Sequence, residues 1–174
     1  MSQLHFICIY SIVGLGLMLL VGFTGQISLG HAAFLAVGAY TEALLQAKGV
    51  PVFVSLPCAA LFSAAAGLIV GLPALRLKGI YLAIATLAFN VIVEEIITRW
   101  EGLTGGNSGL HLKPVEIFGL KLDGDAGFFY LCLGLTVLCV LAIMNLLRSP
   151  TGRAFVAIRD SEISASCMGV NLAK

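Results

Sequence analysis

Apolar residues are concentrated in five stretches of the chain, and short polar or glycine-rich breaks separate these stretches. A helix needs roughly 20 predominantly apolar residues to cross a bilayer, and each stretch comes close to that length. The pattern therefore predicts an all-α fold, a polytopic transmembrane helical bundle in which the second segment is broken or re-entrant. The five segments cover residues 4–21, 22–47, 52–72, 80–98 and 128–147.

The second segment combines an apolar composition with polar residues. It opens on a run of glycines and polar side chains between residues 22 and 28, and His31 and Glu42 follow inside the apolar part. On one helix, positions eleven apart lie about 20° from each other and roughly 16 Å apart along the axis. Ionisable side chains rarely face lipid, so we expect this face to meet protein or water. Ser28, His31 and Glu42 are therefore candidates for a substrate pathway.

Small residues recur at helical spacing in the second and third segments. Ser28, Ala32 and Ala36 form one such stripe. A second stripe, at four-residue spacing, contains Ser63, Gly67 and Gly71. Small side chains let two helix backbones approach closely inside a membrane. We therefore expect both stripes to be helix-packing surfaces.

The fourth segment carries a polar stripe, with Thr86, Asn90, Glu94 and Thr98 following each other at four-residue spacing. Two interpretations are open for this face. The residues either hydrogen-bond to a neighbouring helix, or they line a substrate pathway.

Composition places the chain in a membrane. Hydrophobic residues make up 59% of it and charged residues 11%, compared with about 25% charge in soluble domains. The net charge of +1 comes with no basic cluster, so no nucleic-acid partner is expected. Five cysteines and three histidines lack metal-site spacing, which predicts free thiols and no metal.

No pattern of catalytic chemistry stands out. The chain has no GxxxxGK[ST] motif for holding ATP phosphates. Ser28 and His31 lack the GxSG context of a serine hydrolase, and residues three apart on one helix are poorly placed for nucleophilic attack. We therefore expect no catalytic residues.

The distribution of Lys and Arg predicts the orientation, because cytoplasmic loops are enriched in both. The 73–79 turn and the tail from residue 148 are rich in positive charge, so both should be cytoplasmic. The hydrophilic 99–127 loop is then external. Residues 1–147 form the permease core in this scheme, and residues 148–174 form a cytoplasmic segment. Counting backwards puts 22–26 inside, although a break near 22–30 would change the topology of residues 1–50.

Three passages together resemble a known family. They are VGFTGQISLGHAAFLAVGAYT at 21–41, LRLKGIYLAIATLAFNVIVEEIITRWEGLTGGNSGL at 75–110 and SPTGRAFVAIRDSEISASCMGV at 149–170. These passages resemble the permease subunits of bacterial ABC importers for branched-chain amino acids, in the LivM-like branch. Family members generally carry further apolar helices beyond the third passage, so the resemblance implies a C-terminally truncated product.

The resemblance implies a multi-pass subunit of the bacterial inner membrane, surrounded by lipid. Its expected partners are a homologous permease, two cytoplasmic ATPase subunits and an external substrate-binding protein. The chain itself would carry no cofactor and catalyse no reaction, because the partner subunits bind and hydrolyse ATP. The alternative from another class is an ion-coupled secondary transporter that uses His31 and Glu42 as a proton relay.

The third passage resembles the segment that couples importer permeases to their ATPases. In that pattern Glu162 is the acidic residue, Ala165 and Ser166 are the small residues, and Gly169 is the glycine, with serine at 166 where alanine is usual. The residues themselves also predict a short helix after Arg159. Asp160 and Ser161 are good N-cap residues, and the acidic Glu162 is favoured in the first turn by the positive end of the helix dipole. The candidate coupling residues are Arg159, Asp160, Glu162, Ala165 and Gly169.

Overall fold

The computed structural model describes residues 2–74, 77, 79–110, 116–117, 120–121 and 125–169. Within this part of the chain nearly all regular structure is helical, which confirms the predicted all-α class. The α-helices are α1 (Ser2–Leu17), α2 (His31–Ala47), α3 (Val52–Ala74), α4 (Ile80–Arg99), α5 (Glu101–Thr104), α6 (Asp125–Arg148), α7 (Pro150–Asp160) and α8 (Glu162–Cys167).

Four helices of the described residues are long and apolar enough to cross a membrane. Each contains one of the predicted segments 4–21, 52–72, 80–98 and 128–147. The candidate spans are Gln3–Phe23, Val52–Ala74, Ile80–Arg99 and Gly127–Arg148. The second predicted segment, 22–47, is shorter as a helix. Its helix α2 has 17 residues and is about 25 Å long, less than the roughly 30 Å of a bilayer core.

The break between α1 and α2 lies further along the chain than expected. A π-helical turn, Met18–Phe23, continues α1 through Gly22, and residues 25–30 are then non-helical. Gly25 has φ +71°, a left-handed conformation that interrupts a right-handed helix. The expectation that Ser28 shares a helical stripe with Ala32 and Ala36 is therefore wrong, because α2 begins only at His31.

Residues 29–124 form one compact unit. Within it α2 packs extensively on α3 and also contacts α4. The Ser63 hydroxyl donates a hydrogen bond to the Phe34 carbonyl oxygen at 2.9 Å. A Cβ added at Gly67 would lie 3.8 Å from the Phe34 ring, whereas Gly71 has open space around it. Phe34 also meets Phe89 of α4, with ring centroids 5.3 Å apart.

Residues 1–28 and 125–174 form the other compact unit. Here α1 packs along α6, where the rings of His5 and Phe128 meet edge to face at 5.1 Å. The Thr136 hydroxyl lies 3.4 Å from the Cys8 carbonyl oxygen. Helices α7 and α8 continue from α6. The predicted boundary at residue 147 separates membrane from cytoplasm and stays a prediction.

The 99–127 loop contains short structural elements. Helix α5 leads into a 3₁₀ turn, Gly106–Ser108, and strands β1 (Glu116–Ile117) and β2 (Leu120–Lys121) pair in antiparallel fashion. Thr104 closes the end of α4, since its hydroxyl lies 2.5 Å from the Ile97 carbonyl oxygen and accepts from the Gly106 N–H. The external location predicted for this loop stays a prediction.

Candidate functional site

A cavity of about 270 Å³ lies between α2 and α4. Its α2 wall is made of small residues and one tyrosine, and its α4 wall mixes polar and aliphatic side chains. The lining residues are Ala32, Ala33, Ala36, Tyr40, Asn90, Val93, Glu94, Ile97 and Thr98. The polar stripe of α4 therefore faces the small residues of α2 across an open space.

The two interpretations of the polar stripe apply to different members of it. Asn90, Glu94 and Thr98 line the cavity. Thr86 is buried and does not, because its hydroxyl accepts a hydrogen bond from the Leu29 N–H at 3.0 Å and donates to the Ala83 carbonyl oxygen. Thr86 thus makes a tertiary hydrogen bond, while the next three residues of the stripe line the cavity. Their role in transport stays a prediction.

The residues at the start of α2 pack closely against Thr86 of α4. A Cβ added at Gly30 would lie 3.0 Å from the Thr86 carbonyl oxygen and 3.3 Å from its Cβ. A side chain at position 30 would therefore require Thr86 to move by a few tenths of an ångström. Ser28, a candidate pathway residue, is buried at the end of the non-helical stretch, with 8% of its surface exposed.

Ala32 and Ala36 lie on the cavity wall. The buried alanines of α2 are instead Ala33, which is 1% exposed, and Ala43. The packing role predicted for Ala32 and Ala36 stays a prediction.

Glu42 is engaged within the helix pair α2 and α3. Its Oε1 accepts from the Ser55 hydroxyl at 2.5 Å and from the Gln46 side-chain amide at 2.9 Å. Ser55 is completely buried. The Glu42 Oε2 and the His31 Nδ1 are also buried, and neither has a hydrogen-bond partner among the residues that the structure describes. His31 is the first residue of α2 and Glu42 lies eleven residues later, roughly 16 Å along the axis. Neither residue lines the cavity.

The C-terminal segment forms two short helices joined at one residue. The Ser149 hydroxyl caps α7 by accepting from the Gly152 N–H, and Ser161 caps α8 by accepting from the Ser164 N–H at 3.2 Å. The predicted N-cap at Ser161 is confirmed. Asp160 is instead the last residue of α7, because Ser161 takes the extended conformation that separates the helices.

Gly169 has φ +86° and follows the last turn of α8. This is the left-handed conformation that glycine adopts at helix ends. Ala165 is 3% exposed, whereas Ile163 and Met168 are 78% and 88% exposed. Ile163 in α8 and Met168 at its C-cap are therefore exposed apolar side chains. The side chain of Glu162 lies outside what the structure describes.

Arg159 joins this segment to the break before α2. Its Nη1 donates a hydrogen bond to the Gly22 carbonyl oxygen at 2.8 Å. A Cβ added at Gly25 would lie 2.9 Å from the Arg159 Cγ, which is too close for a stable contact. The arginine therefore packs on the glycine-containing break, and its guanidinium lies 3.8 Å from the Asp160 carboxylate.

Two residues of these sites escaped sequence reasoning. Tyr40 continues the spacing of Ala32 and Ala36 by one further turn and lines the cavity, so that spacing was a usable signal. Ser55 had no such signal, because nothing in the sequence pairs a serine at the start of one helix with Glu42 on the preceding helix.

Four apolar helices, a broken segment and a cavity with a polar wall define a polytopic membrane transport protein. The chain belongs to the family described as branched-chain amino acid transport system / permease component, whose model matches residues 2–174. It is accordingly a multi-pass protein of the bacterial inner membrane.

Two curated relatives are similar to most of the chain. Each is the high-affinity branched-chain amino acid transport system permease protein LivM, one from Escherichia coli (strain K12) and the other from Salmonella typhimurium (strain LT2). Each is 40% identical over an alignment of 188 positions, which covers 94% of this chain and 44% of the relative. The chain thus spans less than half the length of these relatives. No solved structure matches the chain significantly.

Proposed function

We propose that this chain acts in a permease subunit of an ABC importer, which moves branched-chain amino acids across the inner membrane. The observation that carries the proposal is the cavity between α2 and α4, where Asn90 and Glu94 face Ala36 and Tyr40. Family membership gives this cavity its transport context. A space with polar groups on one wall and small apolar groups on the other suits a substrate that has both kinds of surface.

The driving force comes from other subunits in this proposal. Two cytoplasmic ATPases bind and hydrolyse ATP, a homologous permease supplies the second half of the pathway, and an external binding protein delivers substrate. The chain holds no cofactor and catalyses no covalent step. Nucleotide-driven closure of the ATPases would move the permease halves between two arrangements, as in other hinge or shear transitions.

Helices α7 and α8 are the proposed contact with an ATPase. Ile163 of α8 and Met168 at its C-cap are exposed apolar side chains that a partner could cover. Arg159 supports the same proposal. Its hydrogen bond to Gly22 connects α7 to the π-helical turn before the break. A shift of α7 would therefore displace the backbone at the start of the broken segment or break this hydrogen bond.

Energy coupling is tested by leucine uptake into vesicles that contain the assembled transporter. Uptake should require ATP on the ATPase side and should persist when ion gradients are collapsed at constant ATP. Uptake that continues without ATP and stops with the gradient would instead support an ion-coupled carrier. The hydrogen bonds of Glu42 to Ser55 and Gln46 give that carrier no specific support, since they hold the carboxylate in a contact between helices.

A further inference from the structure

We infer that the cavity between α2 and α4 is a binding subsite for a free aliphatic amino acid, and that the Glu94 carboxylate receives the ammonium group of that ligand. This inference rests on the proposed function and assigns roles that family membership does not give. Asn90 and Tyr40 would face the ligand carboxylate, and the aliphatic walls would take its side chain.

Glu94 is the available anionic group of the cavity. It lies on the α4 wall, and no hydrogen bond or ion pair with another described residue engages its carboxylate. The next carboxylate on the same helix, Glu95, is instead paired with Arg99 and does not line the cavity. A cationic ligand in the cavity would therefore meet Glu94 without having to displace a protein partner.

The remaining polar groups of the cavity complement a carboxylate. Thr98 is committed to its own helix, because its hydroxyl donates to the Glu94 carbonyl oxygen at 2.9 Å. The Asn90 side-chain amide and the Tyr40 hydroxyl are both hydrogen-bond donors, and they line the same space. The Glu94 carboxylate thus suits the ammonium end of a zwitterion, and the two donors, Asn90 and Tyr40, suit its carboxylate end.

The size and apolar lining of the cavity define the rest of the ligand. At about 270 Å³ the cavity is small, below the roughly 300–1,000 Å³ of sites that hold drug-sized molecules. Ala33, Ala36, Val93 and Ile97 supply its aliphatic surface. A polar ligand side chain buried against this surface would lose its hydrogen bonds to water without replacement. The cavity therefore favours amino acids with short aliphatic side chains.

The test measures how ligands protect a thiol placed in the cavity. Ala36→Cys is introduced into the assembled transporter, alone and together with either Glu94→Gln or Glu95→Gln. A small maleimide modifies the complex, and mass spectrometry reports the rate of modification at position 36 specifically. Ala32→Cys serves as a second reporter. Glu95→Gln is the matched control, because it neutralises the neighbouring carboxylate, which lies outside the cavity.

Leucine should slow modification at position 36 in the parent and in Glu95→Gln. In Glu94→Gln, half-maximal protection should need about tenfold more leucine, as expected for the loss of a charge-assisted hydrogen bond. Isopentylamine, which has the ammonium but no carboxylate, should protect the parent and lose that protection in Glu94→Gln. The acid 4-methylpentanoate has no ammonium group. It should therefore protect the thiol at position 36 to the same extent in Glu94→Gln and in Glu95→Gln.

Equal protection by leucine in Glu94→Gln and Glu95→Gln would overturn the role of Glu94. Absence of any protection at positions 32 and 36 would overturn the subsite itself. Leucine uptake by the same preparations separates these results from the wider proposal. ATP-dependent uptake without thiol protection would contradict the subsite but not the proposed function. A parent complex without ATP-dependent uptake would contradict the proposed function.

Discussion

Arg159 donates a hydrogen bond from Nη1 to the carbonyl oxygen of Gly22, a residue that precedes it by 137 positions. The contact joins the end of α7 to the last turn before the break in the chain. It also requires Gly25 to have no side chain, because a Cβ there would overlap the Arg159 Cγ. Helix α7, which is predicted to be cytoplasmic, thus contacts the start of the broken segment directly.

Gly25→Ala should destabilise the unit that contains α1 and α7. The substitution adds backbone strain at φ +71°, of about 1–3 kcal/mol, and an overlap with Arg159. Gly49→Ala is the matched control, because Gly49 has φ +80° but nothing within 4 Å of the added Cβ. Thermal unfolding of the purified transporter should show a larger loss for Gly25→Ala. Equal losses would mean that the arginine contact contributes nothing.

The same contact predicts that residues 22–25 and the C-terminal segment lie on one side of the membrane. In a background without the native cysteines, thiols at Thr24 and Ser166 should react with an impermeant maleimide only after the cells are opened. A thiol at Ser108, in the loop predicted to be external, should react in intact cells. Reaction of position 24 together with position 108 would contradict this topology.

Ser55→Ala should destabilise the packing of α2 on α3. The substitution removes a buried hydrogen-bond donor from the Glu42 carboxylate, a loss worth about 1–3 kcal/mol. Ser11→Ala is a suitable control, because the Ser11 hydroxyl is exposed and bonds only to its own helix. Chemical unfolding of the two variants measures the difference. A Ser55→Ala variant as stable as Ser11→Ala would show that this hydrogen bond is not structural.

Glu162→Lys should separate the permease from its ATPases. The resemblance to a coupling segment motivates this prediction, and the confirmed cap at Ser161 places residue 162 at the first position of α8. We expect the variant to insert normally and to lose both ATPase co-purification and uptake. Glu95→Lys, an equal charge reversal in α4, should retain both. Retention of the ATPases by Glu162→Lys at full stoichiometry would exclude α8 as the coupling element.

Hydropathy predicted the helices well, because membrane helices must be long, apolar and internally hydrogen-bonded. The 52–72 segment, for example, begins at the same residue as α3. The start of α2 was harder to predict. His31 and its neighbours are as compatible with a helix from residue 26 as with one from 31. The structure shows that the residues just before His31 contact Thr86, which is far away in sequence.

The candidate site was predictable only in part for the same reason. Four-residue spacing placed Asn90 and Glu94 on one face of α4, and both line the cavity. It could not show that the Thr86 hydroxyl would accept a hydrogen bond from the Leu29 N–H. The resemblance made Arg159 a candidate coupling residue, but it gave no sign that its guanidinium contacts Gly22. Helical periodicity describes one helix at a time, and these contacts involve residues far apart in sequence.

A cavity-blocking substitution tests the proposed pathway most directly. Ala36→Leu adds a branched side chain to the wall of the cavity, and Ala39→Leu adds the same side chain to an exposed position of α2 that does not line it. ATP-dependent leucine uptake is compared between vesicles that contain equal amounts of each assembled transporter. We expect uptake to fall at least about tenfold in Ala36→Leu, a barrier increase of roughly 1.4 kcal/mol or more, and to stay near the parent level in Ala39→Leu. Equal uptake by the two variants would contradict a pathway between α2 and α4.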